Sequence, residues 1–162
     1  MKQPVEVKIK ETRPMTVAFI AVTGPYSGIP AAFGRLYPWV TAKGYQPVGA
    51  AIAVYYTSPA DTPEHQARWE LRTELAGEVA PLAPDENGLG VKRVEGTQVA
   101  FALYKGPYQK IESVYFAIFE WITANGCQIS GPAEESYLND PARTPPEDLL
   151  TEIRIPVRKK QG

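Results

Sequence analysis

A single shift of 82 positions lays this chain over itself. Val17-Ala18-Phe19 falls on Val99-Ala100-Phe101, and Gly24-Pro25-Tyr26 falls on Gly106-Pro107-Tyr108. The same shift carries Trp39 onto Trp121, Gly44 onto Gly126, Tyr55 onto Tyr137, Thr62-Pro63 onto Thr144-Pro145, Glu70 onto Glu152 and Arg72 onto Arg154. No gap is needed between Val17 and Arg154, and chance does not hold one register that far. The chain is therefore a duplicated module. A period this long, used twice, is not a solenoid. Two copies are expected to pack about a pseudo-twofold axis, with the seam between them a natural place for a shared cleft.

Each copy reads as the same string of elements. Val5 to Lys10 alternates apolar and polar residues as a half-buried strand does. Arg13-Pro14 breaks it, and Thr16 to Thr23 is a second strand, ended by Gly24-Pro25. Ile29, Phe33, Leu36, Tyr37 and Val40 recur at helical spacing, and Gly44 supplies the stop. Pro38, inside that run, is expected to shorten or kink the helix. Ala50 to Thr57 and Ala67 to Leu75 are two more strands around a turn-rich loop, Ser58 to Glu64.

Copy two repeats the plan, with strands at Val91 to Val94 and Gln98 to Lys105 and a helix stripe from Ile111 to Ile122. Strands around Glu134 to Leu138 and Glu152 to Val157 follow. The expected fold is α+β: two ββαββ modules with antiparallel sheets and one main helix each. The modules are residues 1–75 and 91–157 of one 162-residue domain, joined by a Pro- and Gly-rich linker over 76–90, with a frayed tail from Arg158.

Charge and composition exclude several functions. Seventeen basic against eighteen acidic residues argue against a nucleic-acid-binding surface. No apolar stretch is long enough to span a membrane, and the N-terminus lacks an apolar signal region, so a cytoplasmic location is expected. The single cysteine, Cys127, has no partner for an internal disulfide, and the single histidine, His65, cannot build a multi-histidine metal site. Neither a metal nor a cofactor is expected. There is no GxSxG elbow and no phosphate-cradling loop.

What remains is carboxylates and aromatics on strands. Period two in the last strand puts Ile153, Ile155 and Val157 on one face and Glu152 and Arg154 on the other. Copy one matches this with Glu70 and Arg72. In the preceding strand, Glu135 and Tyr137 share a face, where copy one has Ala53 and Tyr55. Two candidate carboxylates against one fits a pocket biased toward the second copy. Glu–Arg pairs of this spacing more often form a solvated ladder, and helix aromatics such as Tyr115 and Trp121 are more often core. Even so, three tryptophans, nine tyrosines and five phenylalanines are many for this length. A sheet face carrying both carboxylate and tyrosine suits a flat cationic guest.

The segments TGPYSGIPAAFGRLYPW and KGPYQKIESVYFAIFEW, the loop YLNDPARTPPEDLL and the ending TEIRIPV resemble the GyrI-like, or AraC-type effector-binding, domain over nearly the whole chain. The resemblance implies two SHS2-type modules about a pseudo-dyad, with a ligand cleft between them. It also implies a cleft glutamate that neutralises hydrophobic cationic or aromatic compounds, which motif position assigns to Glu152. Tyr137, Glu135, Trp121, Tyr115, Tyr55, Glu70 and Arg154 complete the expected ligand-binding set. Regulators of this type place a DNA-binding region before the domain. Here the first strand begins near residue 5, so direct transcription control is not expected. A stand-alone binder or sequesterer of drugs and xenobiotics is the primary expectation. The resemblance leaves two alternatives: a hydrolase of strained cyclopropane-bearing toxins with Glu152 as its catalytic base, or a protein that associates with DNA gyrase.

Overall fold

The computed structural model describes residues 5–160. The chain runs β1 (Lys8–Glu11), β2 (Met15–Thr23), α1 (Ile29–Ala42), β3 (Pro47–Tyr55), β4 (Arg68–Leu75) and β5 (Leu89–Val94). It continues through β6 (Gln98–Lys105), α2 (Glu112–Ala124), β7 (Cys127–Ile129), β8 (Ala133–Tyr137) and β9 (Leu150–Lys159). The fold is α+β, all strand pairs cited here are antiparallel, and each copy contributes one long helix. Among the described residues no helix is long and apolar enough to cross a membrane.

The chain forms two compact units. One is Arg13–Gly96; the other joins the N-terminal residues through Thr12 to the chain from Thr97 onward. In the first unit the spatial order is β3-β4-β2-β5, and in the second β8-β9-β6-β1, with β7 lengthening the sheet beside the end of β9. Under the 82-residue shift these orders are the same. The copies have, however, exchanged their first strands. β1 pairs with β6 of the second copy, and β5 pairs with β2 of the first. The sequence marked both as strands, the first by its alternation, but alternation carries no information about the partner.

Local chemistry accounts for the remaining boundaries. Gly24-Pro25 and Gly106-Pro107 end β2 and β6, and each is followed by one 3-10 turn leading into a helix. Gly44 and Gly126 stop the helices at φ +79° and +67°, where a Cβ would be strained. α1 runs through Pro38 without shortening. The carbonyl deprived of its donor belongs to Gly34, and both residues are exposed, so water can take the bond. β5 begins at Leu89, inside the expected linker, and Leu82 bridges to Val91. Gly88 makes this approach possible: at φ +80° it lies so close to β2 that a Cβ would sit 2.4 Å from the Ala21 carbonyl oxygen. β9 continues through Arg158 and Lys159, which pair with Gln128 and Cys127 rather than fraying. Gly162 lies outside the described residues.

In the second unit, Ala100 and Ala102 of β6 with Ile153, Ile155 and Val157 of β9 meet Val114, Ile118 and Ile122 of α2. Burying an aliphatic side chain of this kind contributes roughly 1.5–3 kcal/mol. This seam fixes which face of the sheet looks at α2.

Candidate carboxylate–tyrosine site

Glu135 stands directly across from Ile153 in the β8–β9 ladder. Cross-strand partners point to the same side of a sheet, so Glu135 faces α2, at the margin of the apolar seam. It is 8% exposed. Tyr115, reaching down from α2, donates its hydroxyl to Glu135 Oε2 at 2.5 Å, and Tyr137, two residues along β8, donates to Oε1 at 3.0 Å. Both donors are neutral. They fix the carboxylate in place.

Two further rings extend the site. Tyr108, from the turn after Gly106-Pro107, meets Tyr137 edge-on with centroids 5.7 Å apart. Burial first, and the nearby Glu135 charge second, push the Tyr108 hydroxyl above the usual tyrosine range. It is therefore a protonated phenol at neutral pH. Phe119 lies one helical turn from Tyr115, 6.3 Å between centroids, and also lines a shallow, mostly apolar depression along α2 with Phe116, Glu120, Thr123 and Ala124.

The first copy holds the same aromatic frame. Tyr26 meets Tyr55 edge-on at 5.4 Å, and Phe33 stacks with Tyr37 at 6.0 Å. These are the 82-residue counterparts of Tyr108, Tyr137, Tyr115 and Phe119. The polar parts are gone together: Glu135 corresponds to Ala53, and its hydroxyl donor Tyr115 to Phe33. One more pair differs. In the first copy Trp69 of β4 is 1% exposed, stands opposite both Val22 and Tyr55, and donates Nε1–H to the Gly24 carbonyl at 2.9 Å. In the second copy that position is Thr151, opposite Tyr104 and Tyr137. Tyr104 takes over the anchoring of the turn, donating to the Pro107 carbonyl at 2.6 Å. The large anchor has moved one strand away, from the strand beside Tyr55 to the strand not adjoining Tyr137.

Glu152, Arg154 and Glu70 fall into a second kind of cluster, on the sheet faces turned away from the helices. Glu152, 6% exposed, contacts Lys10 Nζ, and Arg154 Nε is 3.7 Å away. Arg154 also lies 3.6 Å from Glu134. Lys10 Nζ sits over the Phe101 ring at 4.4 Å. The first unit has the same constellation 82 positions away. Glu70, 3% exposed, accepts from Arg72 Nε at 2.5 Å and Lys92 Nζ at 2.7 Å, and Lys92 sits 4.4 Å from the Phe19 ring centre. Both carboxylates are thus matched by cations of their own unit.

Of the residues singled out in the sequence, Glu135, Tyr115 and Tyr137 come together. Glu152 and Arg154 stand on the opposite face of the same sheet, Glu70 in the first unit's ion cluster, and Tyr55 in the first copy's aromatic frame. Trp121 packs half-buried against the α2 seam. Sequence reasoning missed Tyr108, Lys10 and Lys92, although each has an aromatic or basic counterpart at the 82-residue shift that would have marked it. Among the described residues no group of three His, Cys, Asp or Glu side chains is placed to hold a metal ion.

Comparison with known proteins agrees with this architecture. The chain is 25% identical over 138 residues to a DNA gyrase inhibitor of Shigella boydii, covering 83% of this chain and 87% of that protein. The C-terminal domain of EcmrR superposes with a TM-score of 0.78 at 17% identity, covering 97% and 99% of the two chains. Against EcmrR in its DNA complex the chain spans 58% of that protein's length. SAV2435, solved bound to tetraphenylphosphonium, superposes with a TM-score of 0.60 at 15% identity, covering 94% of each chain. The model of the GyrI-like small molecule binding domain matches residues 5–158, and the chain belongs to that family.

Proposed function

We propose that this protein is a cytoplasmic small-molecule binder whose Glu135 site takes hydrophobic compounds that are cationic or aromatic, in drug or xenobiotic binding. One observation carries this reading. Glu135 is buried, pinned by two neutral phenols and ringed by tyrosines, while the first copy keeps the rings and omits the carboxylate with its donor. A structural ion would be needed in both copies. A cation entering beside Glu135 meets a fixed negative charge in a partly dehydrated setting and the negative faces of Tyr115, Tyr137 and Tyr108. The family description supports binding of a small molecule. Within this reading the charge-neutralising role moves from Glu152 to Glu135, because Lys10 and Arg154 already serve Glu152.

Titration calorimetry with tetraphenylphosphonium tests it. Glu135→Gln is expected to weaken binding at least tenfold, as loss of a close, partly desolvated charge pair does. Glu152→Gln is expected to leave affinity for the cation unchanged, apart from any loss of stability. Equal affinity in wild type and Glu135→Gln, across several cations, refutes the site.

Hydrolysis of strained electrophiles is a second reading, favoured by the same pinned carboxylate. A base held at fixed orientation by two phenols could accept a proton from water attacking an already activated substrate. Mass spectrometry of wild-type reactions with cyclopropane-bearing electrophiles decides it, since binding alone yields no product. Association with DNA gyrase has no surface feature here to argue it; a pull-down with purified gyrase subunits tests that partner directly.

A further inference from the structure

We infer that Thr151 is a specificity-determining residue of the Glu135 site, selecting cations whose charged nitrogen carries at least two N–H donors. The inference rests on the binding function proposed for Glu135. Thr151 is wholly buried, 0% exposed, and its Oγ1 has no hydrogen-bond partner within the protein. It faces α2 with Ile153, directly across from Tyr137 and diagonally across from Glu135 in the β8–β9 ladder. Side chains on such a diagonal lie roughly 7–8 Å apart at the backbone, close enough for one bound group to touch both. A buried hydroxyl with no partner is costly and uncommon in a settled structure.

The repeat supplies an independent observation. The first copy places Trp69 where the second has Thr151, and Trp69 anchors the GPY turn. The second copy keeps an anchored turn by using Tyr104 instead of the smaller Val22. Two linked changes therefore remove bulk from beside Tyr137 and leave a hydroxyl there. They occur only in the copy that also holds the carboxylate. Glu135 accepts hydrogen bonds, and Thr151 Oγ1 can accept one as well. A protonated primary or secondary amine has the two N–H donors that satisfy both, whereas a tertiary amine has one and a fully alkylated ammonium offers charge alone.

A ligand-and-residue cycle tests this with two probes of the same ring, protonated N-methylbenzylamine, which has two N–H donors, and benzyltrimethylammonium, which has none. Calorimetry is run on wild type, Thr151→Val, Thr151→Ser and Glu135→Gln. Thr151→Val preserves shape and removes the hydroxyl; it is expected to weaken the N–H probe about fivefold to tenfold, the value of one hydrogen bond, and to leave the methylated probe unchanged. Thr151→Ser restores the discrimination. Equal effects of Thr151→Val on both probes, or none on either, overturn the inference even where Glu135→Gln abolishes binding. Unchanged binding in Glu135→Gln overturns the Glu135 reading itself, and this inference with it. Failure of both amines to bind wild type counts against the amine class.

Discussion

Replacing Thr151 by valine is expected to make the unliganded protein more stable. The side chain is fully buried and its Oγ1 makes no hydrogen bond to the protein. Burying a hydroxyl without a partner costs about 1–3 kcal/mol by protein mutational data. Valine has the same branched shape, suits a strand equally well, and puts a methyl where the hydroxyl was, worth about 0.8 kcal/mol in burial. The expected gain is about 2–4 kcal/mol, or roughly 4–16 °C in Tm at this chain length. Thr73 is the matched control. It is 1% exposed on β4, its Oγ1 is likewise without a partner, and its counterpart in the second copy is Ile155. Thr73→Val should stabilise by a similar amount and leave every ligand affinity unchanged. Calorimetric melting and urea unfolding with an unchanged m-value measure both. A loss of 1 kcal/mol or more in Thr151→Val, alongside a gain in Thr73→Val, refutes the reasoning, because the hydroxyl would then be paying its way through a bond.

Other consequences are sharp. Gly88→Ala combines left-handed backbone with a Cβ 2.4 Å from Ala21 O, so it should cost about 1–3 kcal/mol in backbone strain and more through the clash, read as a lowered urea midpoint. Glu70→Gln leaves Arg72 and Lys92 without their shared carboxylate and should cost about 2–4 kcal/mol, most of it retained at high salt because the pair is buried. Removing the exposed Arg13, which pairs with Glu74 in a fork at 2.6 and 2.7 Å, should have a small effect that high salt erases. Burial raises the hydroxyls of Tyr56 and Tyr108 above the ordinary value of 10.0. The folded chain therefore keeps protons that the unfolded chain has released, and stability should hold up to about pH 10 and fall beyond it. An alkaline urea titration measures the slope, which Tyr56→Phe should reduce; a flat profile refutes the assignment.

The duplicated α+β plan was legible because repeat register and hydrophobic period are local signals. Gly24-Pro25, Gly44 and Gly126 marked ends correctly, since each changes backbone freedom on the spot. β7 was not legible: three residues, Cys127 to Ile129, leave no period to read, and they become a strand only because β9 offers an edge. The exchange of β1 and β5 was hidden for a related reason. Alternation reports that one face is buried and does not report by whom. The same step limits what the sequence says about how the site residues are grouped. Period two correctly separated Glu152 from Ile153, and Glu135 from Ser136, but the relation between the two strands needs their register. Glu135 pairs with Ile153, not Glu152, and that one-residue difference puts the two glutamates on opposite faces.

The duplication also bears on why our proposal places the ligand's counter-charge at Glu135 rather than at Glu152, the residue that motif position assigned. Both copies must solve the same folding problem, so a residue kept in both is first a candidate for the scaffold. Glu152 and Glu70, Arg154 and Arg72, Lys10 and Lys92, Phe101 and Phe19 are kept together, and they form matching ion clusters on the helix-free faces. A sheet face without its own helix can still bury polar groups when each charge meets its opposite. Departures from the repeat carry different information. Ala53 and Phe33 show that the fold closes well without a carboxylate or its phenol donor, and Trp69 shows that the Thr151 position closes well without an unpaired hydroxyl, although the first copy carries one elsewhere, at Thr73. Glu135, Tyr115 and Thr151 therefore carry carboxylate and hydroxyl groups that the second copy buries at positions where its twin has neither. Such burial is retained where a ligand repays its cost, which is why the difference between the copies, rather than their agreement, locates the site we propose.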